Sequence, residues 1–135
     1  MRTLAKLAIT TVIAWVLPIV AVAQMEEIKD STPEARAEMQ DKWMQSTLTL
    51  DEKTSASVSA INLKYARETQ ALVTSDSPKF KKLMTFKSNS QAKDAELKAV
   101  LTAQQYTLYE QKKSEMEAQI KQKLKAKQQA SQPTS

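Results

Sequence analysis

The chain has 135 residues and not one of them is glycine. Average usage near 7% would place about nine in a chain of this length. Hairpins, bulges and phosphate-cradling loops use glycine for positive φ. Its absence argues against a β-fold and against a nucleotide-binding α/β fold. Helices remain open to such a chain, because Ser, Thr, Asp, Asn and Pro can begin and end them. The expected fold class is all-α, and the length suits one domain.

The first 23 residues stand apart from that domain. Arg2 and Lys6 give a positive start, Leu7 to Val20 is an apolar run, and Ala21-Val22-Ala23 is a small-x-small site before polar Gln24. This is the three-part pattern of a secretory signal peptide cleaved after Ala23. The apolar run is short for a membrane span, so no integral span is expected in the mature protein. The mature chain then lies outside the cytosol. It has no Cys, so its stability must come from packing, helped by oligomerisation.

Charge is unevenly spread. Losing Arg2 and Lys6 leaves 18 Lys and Arg against 15 Asp and Glu, a net charge of about +3. Between Gln24 and Glu52 the bases are Lys29, Arg36 and Lys42, against eight acids. Between Lys79 and Lys98 six Lys face two acids, and Lys121 to Ser135 holds four Lys and no acid. One end of the fold is therefore acidic and another basic. A net charge this small on an exported chain is a poor match for nucleic acid. The Lys121–Lys127 segment has one Leu among its Lys, too little apolar surface for membrane insertion.

Spacing predicts four helices. The first runs from about Pro33 to Ser46, with Ser31 or Thr32 as cap, Pro33 at the first position and Met39, Trp43 and Met44 on its apolar side. The second begins at Leu48-Thr49-Leu50-Asp51-Glu52, read as a capping box with Thr49 as cap and Glu52 three places on. Its apolar face is Leu50, Val58, Ile61, Tyr65 and Leu72, and its polar face holds Lys53, Asn62, Lys64, Arg67 and Glu68. The third starts near Pro78 with Asp76 or Ser77 as cap. Ser88-Asn89-Ser90 is weak helix material, which predicts a kink, a fray or a short break. The fourth begins at Leu101-Thr102-Ala103-Gln104-Gln105, a second box 53 residues after the first. There Thr102 caps, Gln105 reaches back, Leu101 staples to Tyr106, and Tyr109, Met116, Ile120 and Leu124 continue the stripe. Residues 24–127 form the expected helical domain, and the polar 128–135 tail is expected to be disordered.

The residue inventory argues against catalysis. Without His or Cys the chain lacks the usual general base, the usual nucleophile pairs and the usual zinc or copper ligands. Glu110, Glu115 and Glu117 sit among Lys at helix-surface spacing and read as solvated ion pairs. No catalytic residue, metal site or cofactor is expected. Binding remains. The stretch from Pro78 interleaves Phe80, Leu83, Met84 and Phe86 with Lys79, Lys81, Lys82 and Lys87. It reads either as an amphipathic helix with solvated Lys or as a basic rim around exposed apolar anchors.

The two boxes, in an exported, Gly- and Cys-free helical chain, resemble the Spy/CpxP family of LTxxQ-motif proteins over roughly Pro33 to Lys125. The second copy fits the motif, and the first has Glu52 in place of Gln. The resemblance implies two hairpin-like halves that pair as an antiparallel, cradle-shaped homodimer. It implies a periplasmic, ATP-independent chaperone, a holdase for unfolded or partly folded envelope proteins in response to envelope stress. The alternative it implies is an accessory that binds and inhibits the periplasmic domain of a sensor kinase. The family's basic cradle residues map onto Lys79, Lys81, Lys82 and Lys87, which with the interleaved Phe80, Leu83, Met84 and Phe86 make the expected client-binding set. Leu48, Thr49, Glu52, Leu101, Thr102 and Gln105 are the motif's helix caps. The family's metal-binding His and Cys have no counterpart here.

A working cap predicts a measurable loss. Thr102→Ala should lower the unfolding free energy by about 1 kcal/mol, read from urea denaturation, and an unchanged midpoint would mean that the box does not form.

Overall fold

The computed structural model describes residues 28–132. The expected signal peptide and the last three residues lie outside them. Among the described residues the fold is all-α: α1 (Pro33–Leu48), α2 (Glu52–Thr74), α3 (Lys79–Val100) and α4 (Ala103–Ser131). None of these helices is long and apolar enough to cross a membrane.

Helix starts follow short-range chemistry. Thr32 caps α1, its Oγ1 accepting from the Ala35 N–H at 3.1 Å, with Pro33 opening the first turn. At α4 the second box forms in full. The Gln105 N–H donates to Thr102 Oγ1 at 3.2 Å, and Gln105 Oε1 accepts from the Thr102 N–H at 3.0 Å. Two of the otherwise orphaned N–H groups of the helix end are thereby satisfied.

The first box does not form. α1 runs on to Leu48, and Thr49 closes it in the left-handed conformation (φ 53°, ψ 63°). Asp51 caps α2 instead, its Oδ1 accepting from the Thr54 N–H at 2.7 Å. Helices commonly end on a left-handed residue, usually Gly. This chain has none to offer, so a β-branched Thr is held there, and the cap passes to an Asp, at least as good a cap as Thr. Glu52 becomes the first helical residue and not the third. The start of α3 also differs from expectation. Pro78 stands at the cap position with no side-chain cap bond, so neither Asp76 nor Ser77 serves. α3 is continuous through Ser88-Asn89-Ser90. The intrinsic penalty there is below about 0.7 kcal/mol per residue, and the next turn is anchored to other helices at Lys93, Asp94 and Glu96. α4 continues to Ser131, into the segment expected to be disordered.

Cross-helix bonds fix the topology. α2 returns along α1, with Arg67 on Glu34 (3.2 Å) near one end and Ser59 on Asp41 (2.6 Å) further along. α3 returns along α2, Lys64 and Tyr65 both meeting Glu96 Oε1. α4 returns along α1, from Gln105 Nε2 on the Leu48 carbonyl (3.4 Å) to Gln128 on Asp30 (3.1 Å). The four helices therefore run up-down-up-down in one ring. Among helices adjacent in the ring, packing is most extensive between α1 and α2 and between α2 and α3, and least between α3 and α4. The two hairpins share a single core.

That core joins Met44 and Leu48 of α1, Val58, Ile61 and Tyr65 of α2, Leu97 and Leu101 at the end of α3, and Tyr109, Met116, Ile120 and Leu124 of α4. Met39, Trp43, Leu50 and Tyr106 pack on it half-buried. Val73 is buried near the end of α2, where Leu72 had been expected. Asn62 also leaves its expected polar face. It is fully buried, its Nδ2 donating to Asp41 Oδ1 at 2.7 Å, and its Oδ1 finds no partner among the described residues.

The backbone at Thr49 makes a stability test possible. A non-Gly residue held at such a φ costs about 1–3 kcal/mol, while Gly loses more chain entropy on folding. Thr49→Gly should therefore raise the unfolding free energy by about 1 kcal/mol in chemical denaturation with an unchanged m-value; a loss of stability would mean that Thr49 is not strained.

Candidate functional site

α3 and α4 are joined by a tight turn at Leu101-Thr102 and then part. Near the turn they are pinned together by Asp94, half-buried, whose Oδ1 accepts from Tyr109 Oη (3.0 Å) and whose Oδ2 accepts from Lys113 Nζ (2.8 Å). Burial, with the neighbouring Asp94 carboxylate, holds the Tyr109 phenol far above its ordinary value. Beyond this clasp each helix follows a different partner, α3 along α2 and α4 along α1. A cleft of about 230 Å³ opens between them. Phe86, Asn89, Ser90 and Lys93 form its α3 wall, and Met116, Glu117, Ile120, Lys121 and Leu124 its α4 wall. Arg36 and Gln40 of α1 and Tyr65, Ala66 and Thr69 of α2 make the floor.

Three cations of the cleft lining, Arg36, Lys93 and Lys121, have no ion-pair partner among the described residues. The Arg36 guanidinium is buried and donates only to neutral acceptors: the Ile28, Ser31 and Ala66 carbonyls, Ser31 Oγ and Gln70 Oε1. Lys93 is half-buried, and its ammonium donates to Gln40 Oε1 at 2.6 Å. Burial first, and nearby Lys113 second, push the Lys93 ammonium down to about 8, against opposing pulls from Asp94, Glu117 and Asp41. Buried charges are ordinarily paired.

The eight residues expected to bind a client are divided by the fold. Phe80 (75% exposed) and Met84 (51%) stand out from the N-terminal half of α3, one turn apart. Lys79, Lys81 and Lys87 are exposed beside them. Leu83 is half-buried. Phe86, also half-buried, turns into the cleft. Lys82 is turned to another task, donating to the Val73 carbonyl of α2 at 3.0 Å. Of the motif residues, Leu48 and Leu101 are core, and Thr102 and Gln105 are caps. The cleft cations Arg36 and Lys93 were not singled out from sequence. A signal existed in the helical register: Lys93 shares a face with Phe86, Leu97 and Leu101, and Arg36 with Gln40, Met44 and Leu48.

Among the described residues no cluster of acids could hold a metal ion. A family model described as a domain of unknown function (DUF4890) matches residues 23–109, more than half of the chain. The chain belongs to that family. The DUF4890 match takes in α1, α2, α3 and the first turns of α4, and so both Leu-Thr segments, the exposed Phe80 and Met84, and Lys93. It stops before Met116, Ile120 and Leu124, which complete the cleft. No curated protein and no solved structure matches the chain.

Lys93 gives a pH-dependent prediction. Its folded value is about 8 against an ordinary 10.5, so between these pH values the unfolded chain binds more proton than the folded one. Stability therefore rises with pH across that window. Below it the charged ammonium opposes folding. Lys93→Met should raise the unfolding free energy at pH 7 by up to about 3 kcal/mol, and the advantage should fade as pH rises from about 8 to 10.5. Denaturation series at pH 7 and pH 10.5 test this, and a pH-independent difference between the proteins would contradict it.

Proposed function

We propose that this DUF4890 protein is an ATP-independent holdase of the Spy/CpxP kind, acting in the periplasm on unfolded or partly folded envelope proteins. One observation carries the reading: Phe80 and Met84 stand exposed one turn apart on α3, flanked by exposed Lys79, Lys81 and Lys87. No acid occurs from Lys79 to Lys93. Cations speed the encounter with an acidic or mixed-charge chain, and apolar side chains retain it. Exposed large apolar groups ringed by charge commonly mark interaction surfaces. Such a surface needs no nucleotide, metal or reactive side chain. In this reading the exported chain acts as a homodimer, and its Leu-Thr boxes serve helix ends while α3 meets the client.

The reading is tested by light scattering of a chemically unfolded client diluted into buffer. The purified protein should suppress aggregation without ATP at a few-fold excess. Phe80→Ser with Met84→Ser should reduce suppression several-fold while helicity and Tm are kept. Full suppression by that double variant would reject the role of α3. Selective capture of one sensor-domain partner, with no suppression at all, would instead support the regulatory alternative.

A further inference from the structure

We propose that the α3–α4 cleft binds one medium-chain fatty-acid anion, its carboxylate on the Lys93 ammonium and its chain along Phe86, Met116, Ile120 and Leu124. The apolar half of the argument is the lining. Those four side chains face a space of about 230 Å³, and an apolar cavity of about 150 Å³ already admits benzene. An acyl chain of about eight carbons is of suitable size, since the cleft is open at one side and need not enclose it.

The polar half is charge. Arg36, Lys93, Lys113 and Lys121 line the cleft against the single carboxylate of Glu117. Lys113 is engaged by Asp94. Arg36 and Lys93 rest on neutral acceptors alone. The ammonium of Lys93 has three donors, of which Gln40 takes one. The charged groups around it are Arg36 and Asp41 of α1, Asp94 of α3, and Lys113 and Glu117 of α4, with the Tyr65 and Tyr109 hydroxyl-bearing rings beside them. One carboxylate would supply the missing counter-charge to these inward-facing cations. A neutral amphiphile leaves Lys93 unpaired, and a cationic one adds to the imbalance. A compact polyanion gains nothing from the four apolar side chains and meets Glu117. The exposed Phe80 and Met84 lie outside the cleft lining, so this site is independent of the chaperone reading.

Isothermal titration of the purified protein with octanoate, at pH 8 in two buffers of different ionisation enthalpy, tests the proposal. Saturable binding of one octanoate per chain is expected. Burial lowers the Lys93 ammonium in the empty cleft, so binding of the carboxylate should take up proton at pH 8 and less at pH 6. Octanol, octylammonium and acetate should each bind at least tenfold more weakly. Lys93→Met should weaken octanoate at least tenfold, and Lys53→Met, on an exposed position outside the cleft lining, should leave it unchanged, with circular dichroism confirming that both variants are folded. Absence of saturable binding, many ligands per chain, equal binding of octanol, or a Lys93→Met protein that binds octanoate as well as the parent would each overturn the proposal.

Discussion

The Asp94 carboxylate governs the shape of the molecule. Accepting from Tyr109 and Lys113 just above the turn at Leu101-Thr102, it fastens α3 to α4 at one end only. Elsewhere α3 spends its contacts on α2, and α4 spends its contacts on α1. A closed bundle would bury the inner faces of both helices along their whole length. Among the described residues α3 reaches the core at its clasped end, through buried Leu97, half-buried Val100 and Leu101 just beyond it. Its other half is free to expose Phe80 and Met84 on one side and to wall the cleft on the other.

The all-α class, the helix number and most of the core stripe could be read from residue spacing. Val58, Ile61 and Tyr65 of α2 and Tyr109, Met116, Ile120 and Leu124 of α4 are buried as their period requires. Three polar residues hide in the core register: Asn62 was assigned to solvent by type, and Arg36 and Lys93 were not singled out, although their register placed them inward. Asn62 lies between Val58 and Tyr65 on the helix face, Arg36 precedes Gln40 and Met44, and Lys93 precedes Leu97. Each is held by a partner on another helix, at Asp41, Ala66 and Gln40 respectively, and such partners are invisible in a linear pattern. The exposed residues of the candidate site were legible as a segment, but not their division between an outer edge and an inner wall.

The two Leu-Thr segments teach the same lesson about local signals. They share the Leu-Thr pair and an acidic or amide residue three places after the Thr, yet Thr102 begins a helix and Thr49 ends one. A capping box competes with the previous helix for its Thr. α1 packs on both α2 and α4 and continues two residues beyond the sequence-based boundary, so Thr49 is consumed by its termination. Gln105 then serves both segments, satisfying the Thr102 N–H and reaching the last α1 carbonyl at Leu48.

Lys82 has an effect beyond its own bond. The last turn of α2 carries no basic residue of its own, and the ammonium of Lys82 on the Val73 carbonyl answers the negative end of that helix from across the gap. One lysine of the basic cluster is thus held at the root of α3, and the helix that follows emerges from a fixed anchor. Phe80 and Met84 are carried on a stiff rod and not on a loop. A partner that meets them forfeits little backbone freedom on the protein's side, so even a small apolar contact can yield net affinity.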